Sequence, residues 1–350
     1  MPANADAQTP PDTGFVQFKY LDYRDWQPGA KRMHVVNPGF LALKPLSESL
    51  IIEAALVYDG MSGASPLYYN TLSGASGKGV TDYRTAGDVK LTKYFSAFSI
   101  GVGGAYSHER DYVSRAGSID LRTWTADKNR TWNVGFAGAS DRIHTERGAA
   151  EREKKYVLDF LAGVTQVLSP TALVQSTLTY SRGHGYFNDP YKPLDTRPDR
   201  RRLLAWLTRH HQHVPSADGT LQLAFRYIDD SFGADSAMLD MAWVQSLPMG
   251  WSVRPSLRYY TQQAASFYSD PPIGRGFVVG QPYTADARLS AFGAFTTGIG
   301  VNKLLDDGWS ADVRVEYYRQ RSSWRLGGDG SPGLLPLSAR WIEVGLGKTF

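Results

Sequence analysis

The sequence contains no cysteine among its 350 residues. Disulfide bonds, thiolate metal sites and covalently attached c-type haem are therefore excluded within this chain, and any redox role would require a partner protein. The sequence also has no run of about 18 apolar residues, which excludes a membrane-spanning helix. Basic and acidic residues nearly balance, with 38 Lys and Arg against 34 Asp and Glu, and the basic residues are scattered. Nucleic acid is accordingly not an expected partner.

The N-terminal residues lack the features of a secretion signal, because Met1 to Gly14 contain neither a basic segment nor an apolar core. We expect residues 1–14 to be the disordered start of a mature chain whose secretion signal has been replaced by an initiator Met. Residues 15–350 are expected to form a single domain.

The composition resembles that of a soluble protein, with a mean hydropathy of −0.34 and 42% hydrophobic residues. This average does not exclude a membrane protein, because a transmembrane barrel exposes only one face of each strand to lipid and has a polar lumen. Aromatic residues make up 13% of the chain and include 20 Tyr and 9 Trp. These two side chains suit a membrane–water interface.

Apolar and polar residues alternate with a period of two from Phe15 onward, and no amphipathic helix is evident. We count sixteen such segments. Their approximate bounds are 15–24, 31–43, 49–58, 81–95, 97–110, 114–126, 131–143, 153–168, 171–183, 200–213, 219–229, 234–247, 250–264, 284–304, 308–321 and 336–350.

The connections between these segments alternate in length. Pro248–Met249 and Leu305–Asp307 are examples of the short set, and Asp59–Val80 and Ala265–Tyr283 of the long set. Barrels with tight periplasmic turns and longer extracellular loops show this asymmetry. The sequence therefore predicts an all-β, transmembrane antiparallel up-and-down β-barrel of about sixteen strands. It would lie in the bacterial outer membrane with both termini in the periplasm.

The last fifteen residues, Pro336 to Phe350, form an alternating strand that ends on an aromatic residue. This ending resembles the closing strand of bacterial outer-membrane barrels, and Lys348 departs from the aromatic or apolar residue usual at its position. The resemblance implies that the barrel assembly machinery is a partner. The implied assembly signal consists of Phe350, Leu346, Val344 and Ile342.

Aromatic residues recur near both ends of the segments. Tyr259 and Tyr317 follow Trp251 and Trp309 by eight residues on the same face, which corresponds to a rise of roughly 20 Å for a strand tilted by about 40°. Such a spacing matches two aromatic girdles in contact with outer-membrane lipid. The predicted girdle residues are Trp132, Trp251, Trp309, Tyr58, Tyr106, Tyr180, Tyr227, Tyr259 and Tyr317.

The opposite faces of these segments carry charges that lipid would not tolerate. Both signs occur within single segments, which favours pairing across the lumen, but separate acidic and basic walls remain an alternative. The facing of segment 200–213 is ambiguous. The predicted lumen-lining residues are Asp82, Arg84, Asp88, Lys90, Asp120, Arg122, Arg226, Asp240, Arg254, Arg258, Asp286, Arg288, Asp312, Arg314 and Glu316.

One loop carries the most distinctive motif, D-G-M-S-G-A-S-P at Asp59–Pro66. With this motif the chain resembles a family of Gram-negative outer-membrane barrels known only as a domain of unknown function. The resemblance implies a barrel but no activity, and it gives a hint of a lipoprotein or envelope redox partner. The other residues that carry it are Arg32, Met33, Val35 and Pro38 in R-M-x-V…P, and Glu109, Asp111 and Tyr112 in E-x-D-Y.

Catalytic and metal-binding residues have weak signals. Neither Ser62 nor Ser65 lies in a G-x-S-x-G motif or has a His–Asp pair placed beside it by the sequence, so a turn built from small residues explains them better. Two other groups could contribute ligands to a metal but lack a full ligand set, so we expect no metal site and no cofactor. They are His210, His211 and His213, and Asp229, Asp230 and Asp235.

The function predicted from these observations is a porin-like channel for small polar solutes. The alternative is a non-conducting barrel that serves as a scaffold for a lipoprotein or an envelope redox partner. A membrane-embedded hydrolase is a third class, for which no catalytic set is visible, so the chain is not expected to be an enzyme.

Overall fold

The computed structural model describes residues 9–63, 80–144, 152–192, 194–270 and 272–350. Sixteen antiparallel strands close into one barrel, in which each strand pairs with the next along the chain and the first pairs with the last. The predicted fold class is therefore confirmed. The strands are β1 Phe15–Gln27, β2 Ala30–Ser47, β3 Leu50–Gly63, β4 Val80–Tyr94, β5 Phe98–Glu109, β6 Tyr112–Trp124, β7 Arg130–Ile143, β8 Glu153–Ser169, β9 Ala172–Gly185, β10 Arg200–Val214, β11 Gly219–Asp230, β12 Ser236–Leu247, β13 Trp251–Gln262, β14 Phe292–Leu304, β15 Trp309–Arg321 and β16 Leu337–Thr349.

The two ends of the barrel differ in their connections. The end at which β1 begins and β16 ends, here the short-turn end, has only tight turns: 48–49, 95–97, 125–129, 170–171, 215–218, 248–250 and 305–308. At the opposite end, here the loop end, the described connections include 186–199, 263–291 and 322–336. Two hairpins at the short-turn end turn through consecutive positive-φ residues, at Met249–Gly250 and Asp307–Gly308. This backbone matches the twist of the flanking strands.

The predicted strand 284–304 is wrong at its N-terminal end, because β14 begins only at Phe292. Residues Ala287–Leu289 form a 3-10 helix, and the Asp286 carboxylate accepts a hydrogen bond from the backbone N–H of Arg288. This local cap competes with the extended conformation that the alternating sequence suggested. Asp286 and Arg288 consequently lie in the connection between β13 and β14 and not on the barrel wall.

The two faces of the wall follow from the strict alternation of side chains along each strand. One face exposes large apolar side chains, such as Leu56, Phe136 and Leu239, each more than half exposed. The other face carries the buried clusters and most of the ion pairs between strands, so it is the inner face. One apolar cluster, formed by Leu43, Ile51, Tyr94, Trp124 and Phe15, lies on this inner face near the short-turn end. None of the helices in the described part of the chain is long and apolar enough to cross a membrane.

Candidate functional site

Ion pairs on the inner face connect strands that are not always neighbours. The Lys19 ammonium on β1 donates to Asp312 on β15 at 2.7 Å and to Glu343 on β16 at 2.6 Å. Its reach across β16 passes Gly345, where a Cβ atom would clash with the Asp312 carboxylate. Further inner-face pairs are Arg258–Asp240, Arg314–Glu316, Arg84–Asp59 and Lys90–Asp120.

Basic residues concentrate on the inner face of β10, β11 and β13. We call these the basic sector: Arg201, Arg209, Arg226, Arg254 and Arg258. Arg254 donates to the Gln222 amide oxygen at 3.3 Å, and Arg209 donates to Gln175 at 3.1 Å. The register shows which face of β10 points inward. Arg209 pairs with Ala224 and Leu207 pairs with Arg226 on β11, so Arg209 and Leu207 face inward with their partners.

Acidic residues concentrate on the inner face of β3 to β8. We call these the acidic sector: Glu53, Asp59, Asp88, Asp120, Asp141 and Asp159. Arg84, Lys90, Arg122 and Lys155 lie among them and compensate only part of this charge. The predicted lumen residue Asp82 lies on β4, but its side chain is outside the described part of the chain. The wall of β3 to β8 thus has an excess of acidic groups. The basic sector keeps an excess of basic groups although Asp230 and Asp240 pair with Arg201 and Arg258. This unequal distribution is closer to the alternative of separate acidic and basic walls.

The inner face of β3 to β6 carries unusually small side chains. A cavity of about 150 Å³ opens there, and strand residues alone line it, among them Ala55, Ala86, Asp88, Ala105 and Ser107. In barrels, the volume of inward side chains decides how much of the lumen is filled. This part of the wall therefore leaves room beside the acidic sector.

At the loop end, three aromatic rings from different connections pack together just inside the mouth of the barrel. Phe232 is 1% exposed and contacts the edges of Phe187 and Phe267 at centroid distances of 6.0 and 5.0 Å. The guanidinium of inward-facing Arg201 lies 4.6 Å from the Phe232 ring centroid, and the Lys155 ammonium lies 5.8 Å from that of Phe187. These contacts anchor the loops to the inner face of the wall, and we call the three rings the mouth cluster.

An ion network joins connections 186–199 and 263–291 beside the mouth cluster. Arg197 bridges Asp195 at 2.8 Å and Asp286 at 2.9 Å, and both carboxylates are 1% exposed. Burial tends to raise the pKa of Asp286, but hydrogen bonds and charge from Arg288, with further charge from Lys192, outweigh it and lower the pKa to about 2. The amide of inward-facing Gln262 donates to the backbone carbonyl of Arg288. Although Asp286 and Arg288 are not wall residues, their segment packs onto the inner face.

The predicted girdle residues lie at both ends of the outward face. At the short-turn end, each of the three tryptophans has a basic side chain over its ring: Arg130 at 5.7 Å from Trp132, Lys303 at 5.2 Å from Trp251 and Lys348 at 5.4 Å from Trp309. Cation–π attraction explains why Lys348 replaces the usual apolar residue. The predicted tyrosines Tyr58, Tyr106, Tyr180, Tyr227, Tyr259 and Tyr317 lie nearer the loop end of their strands.

The remaining candidates are the histidines at the end of β10, the aspartates around the β11–β12 turn, and Ser62 and Ser65. His211 and His213 face inward, and His213 is within 3.2 Å of the Thr220 hydroxyl. The Asp230 carboxylate accepts from Arg201 at 2.6 Å and from the Phe232 N–H, so it holds the β11–β12 turn. Within the described ranges, no three His, Asp or Glu residues are grouped to hold a metal ion. The side chain of Ser62, and all of Ser65 with the rest of the D-G-M-S-G-A-S-P loop beyond Gly63, lie outside these ranges.

The family model for proteins of unknown function named DUF3570 matches residues 2–341. The chain belongs to this family. Two solved structures have a similar fold: CdiB from Acinetobacter baumannii, with 9% identity and a TM-score of 0.54 over 94% of this chain and 60% of CdiB, and the siderophore receptor PirA from Pseudomonas aeruginosa, with 8% identity and a TM-score of 0.50 over 96% of this chain and 80% of PirA. The chain thus spans less than two thirds of CdiB, and at these identities the likeness concerns the fold alone. No curated protein matches this chain.

Several inner-face residues were not among the predicted lumen set. Lys19, Asp59 and Glu343 belong to the ion pairs described above, and Arg201 and Lys155 anchor the mouth cluster. Strand alternation was the available signal, since each lies on the face opposite a run of apolar residues. Near the loop end that signal weakens, because polar residues occupy both faces of the strands there.

Proposed function

We propose that the protein is an outer-membrane channel for small polar solutes. The observation that carries the proposal is the excess of acidic groups on one part of the inner face of a sixteen-stranded barrel and of basic groups on another part. Strands about 4.8 Å apart and tilted by about 40° give a backbone radius of about 16 Å, which is wide enough for an aqueous path. Charged walls of opposite sign create a transverse field in such a path.

This field favours a particular class of solute. A small molecule with separated positive and negative groups would lower its energy by aligning across the lumen, with its cationic part toward Asp88 and Asp120 and its anionic part toward Arg226 and Arg254. A molecule with one net charge would gain at one wall and lose at the other. Dipolar solutes are therefore the class that the lining suits best.

The orientation belongs to the same proposal. Tight turns on one side and long connections on the other are the arrangement of outer-membrane barrels whose turns face the periplasm. We place the loop end outside the cell and both strand termini at the periplasmic side of a Gram-negative outer membrane.

A second function is favoured by the mouth cluster. Loops that pack onto Arg201 and Lys155 narrow the loop end, and a barrel narrowed far enough would conduct little. Such a barrel could instead be a scaffold that binds a lipoprotein or an envelope redox protein.

Single-channel recording in planar bilayers tests the proposal. The purified parent protein should give discrete conductance steps, and Phe232→Ala, which loosens the mouth cluster, should give steps at least as large. If the parent and Phe232→Ala were both silent while each kept the heat-modifiable gel mobility of a folded barrel, the channel proposal would fail and the scaffold would be preferred. A silent parent with a conducting variant would show a channel closed by its mouth cluster.

A further inference from the structure

Basic side chains oppose one another directly on the outward face at the loop end. The register pairs Arg24 on β1 with Arg340 on β16, and Arg182 on β9 with Arg202 on β10. All four side chains are exposed. Like charges directly opposite each other destabilise a sheet. These two arginine pairs lie on separate parts of the barrel, and a mixed pair, exposed Arg142 on β7 opposite exposed Lys154 on β8, has the same outward position at this end. Such pairs need a physical explanation.

Acidic side chains of the protein account for little of this charge. Within the described ranges, the Asp22 carboxylate accepts from Arg24 at 2.9 Å and is shared with His34 at 2.8 Å. In the same ranges, no carboxylate lies within ion-pairing distance of Arg340, Arg182 or Arg202. The protein therefore neutralises at most one member of the first pair and neither member of the second.

Other outward residues extend the first pair. Arg319 is exposed, and its guanidinium lies 5.8 Å from the centroid of the Tyr317 ring. Tyr317 is the cross-strand neighbour of Arg340 on β15. Arg319 and Arg340 thus lie beside one girdle tyrosine, and Arg24 follows on the next strand, at the edge of the apolar band, where a lipid headgroup would meet the barrel.

The basic residues at the short-turn end are arranged differently. Lys303 donates to the carbonyl oxygen of Met249 while it lies over Trp251, and Lys348 donates to the carbonyl of Asp307 while it lies over Trp309. These ammonium groups have acceptors within the protein. The loop-end arginine pairs have the same outward position, but in the described ranges only Arg24 has a carboxylate partner, Asp22. Arg340, Arg182 and Arg202 are therefore the side chains that an external anion would neutralise.

We propose that the two loop-end arginine pairs, Arg24–Arg340 and Arg182–Arg202, bind phosphomonoester headgroups of membrane lipids. Two guanidiniums match the two charges of a phosphomonoester and can each donate a bidentate pair of hydrogen bonds to its oxygens. A phosphodiester carries one charge and matches less well. The neighbouring outward residues Leu158 and Leu204 offer apolar surface to acyl chains, which favours a lipid over free phosphate.

The binding test uses delipidated full-length protein in detergent micelles, titrated with fluorescent phosphatidic acid. Each double variant, R24Q/R340Q or R182Q/R202Q, should lower the affinity of its site by about tenfold, and the quadruple variant should bind at least about tenfold more weakly than the parent. K303Q/K348Q is the matched control, because it removes two outward charges at the other end, and it should bind as the parent does. Phosphatidylglycerol should bind at least about tenfold more weakly than phosphatidic acid.

Two outcomes would overturn the proposal in this assay. One is equal binding by the parent and the quadruple variant, or an equal loss in K303Q/K348Q. The other is competition by inorganic phosphate at the concentration of the lipid, which would indicate a site for free phosphate.

Thermal unfolding gives a readout that does not depend on measuring weak binding. In lipid-free detergent, R340Q and R202Q should unfold at the same or a higher temperature than the parent, because each relieves a repulsion. Added phosphatidic acid should raise the unfolding temperature of the parent more than that of either variant. An equal rise in parent and variants would refute the role of these pairs.

Discussion

The basic sector gives the sharpest test of a conducting lumen. Arg226 and Arg254 are the residues to change, because in the described part of the chain neither has a carboxylate within ion-pairing distance. The closest polar contact of Arg254 is the Gln222 amide at 3.3 Å. The double variant R226Q/R254Q therefore removes two positive charges without leaving a buried carboxylate unpaired. Arg258 is left intact, because its loss would strand Asp240.

The size of the effect follows from Coulomb attraction and screening. The Coulomb energy between a guanidinium and a monovalent ion about 8 Å away is about 0.5 kcal/mol in water. At 0.1 M salt, where the Debye length is about 10 Å, about 0.2 kcal/mol of this energy remains. Two removed charges act with opposite sign on cations and anions. The difference in free energy between a cation and an anion in the lumen should thus change by about 0.9 kcal/mol in favour of the cation. This change raises the cation-to-anion permeability ratio roughly fivefold. At 1 M salt the same calculation gives a rise of only about 1.3-fold in the permeability ratio.

The assay is the reversal potential of the channel under a salt gradient, measured at low and at high ionic strength. R319Q/R340Q is the matched control, because it removes two outward arginines and should leave the reversal potential unchanged. A shift that did not shrink with salt would contradict a screened lumen charge. A shift of equal size in R319Q/R340Q would show that the effect comes from outside the lumen.

The mouth loops and the orientation make three further predictions. Acid should loosen connection 263–291, because the Asp286 carboxyl has a pKa of about 2 instead of 3.8. The resulting stability, about 2 kcal/mol, is complete above about pH 5 and is lost as the pH falls through 2. Pepsin should therefore cleave this loop faster over that range, and the cleavage rate should depend less on pH in D286N than in the parent. Phe232→Ala should lower the free energy of opening of the mouth loops by about 3–5 kcal/mol, measured as faster hydrogen exchange. Val279→Ala, at a site 87% exposed, should leave the exchange rates unchanged. A cysteine at Val279 should react with an impermeant maleimide on intact cells, and one at Met249, 81% exposed, only after permeabilisation; the reverse pattern would invert the proposed orientation.

The barrel could be predicted from the sequence because its strands obey a simple periodicity. Lipid contact requires apolar residues at every second position, and this requirement is local, so sixteen segments and their outward faces were visible. The same rule failed before β14. Residues around Asp286 alternate like a strand, but a carboxylate that can accept from the backbone two residues later favours a capped turn.

The partners of the lumen charges could not be predicted in the same way. Lys19 contacts carboxylates 293 and 324 positions away in the chain, and these contacts exist only because β1 closes onto β16. The local signal was Gly345, a small residue that leaves space for a side chain to cross its strand, but nothing in the sequence says which side chain crosses. The loop-end basic pairs could not be predicted either, because their members become neighbours only through the register between two paired strands.

Two features of the inner wall together favour permeation over a filled lumen. The mouth loops anchor on β8 and on β10 to β14, whereas the cavity on β3 to β6 is lined by strand residues alone. A barrel that served only as a scaffold could fill this wall with larger side chains and gain packing. Ala86, Ala105 and Ser107 instead leave space beside Asp88, opposite the more basic half of the wall. Free space bounded by fixed charges of opposite sign is costly to maintain unless water and solute occupy it, and this argues for a polar path along the acidic sector.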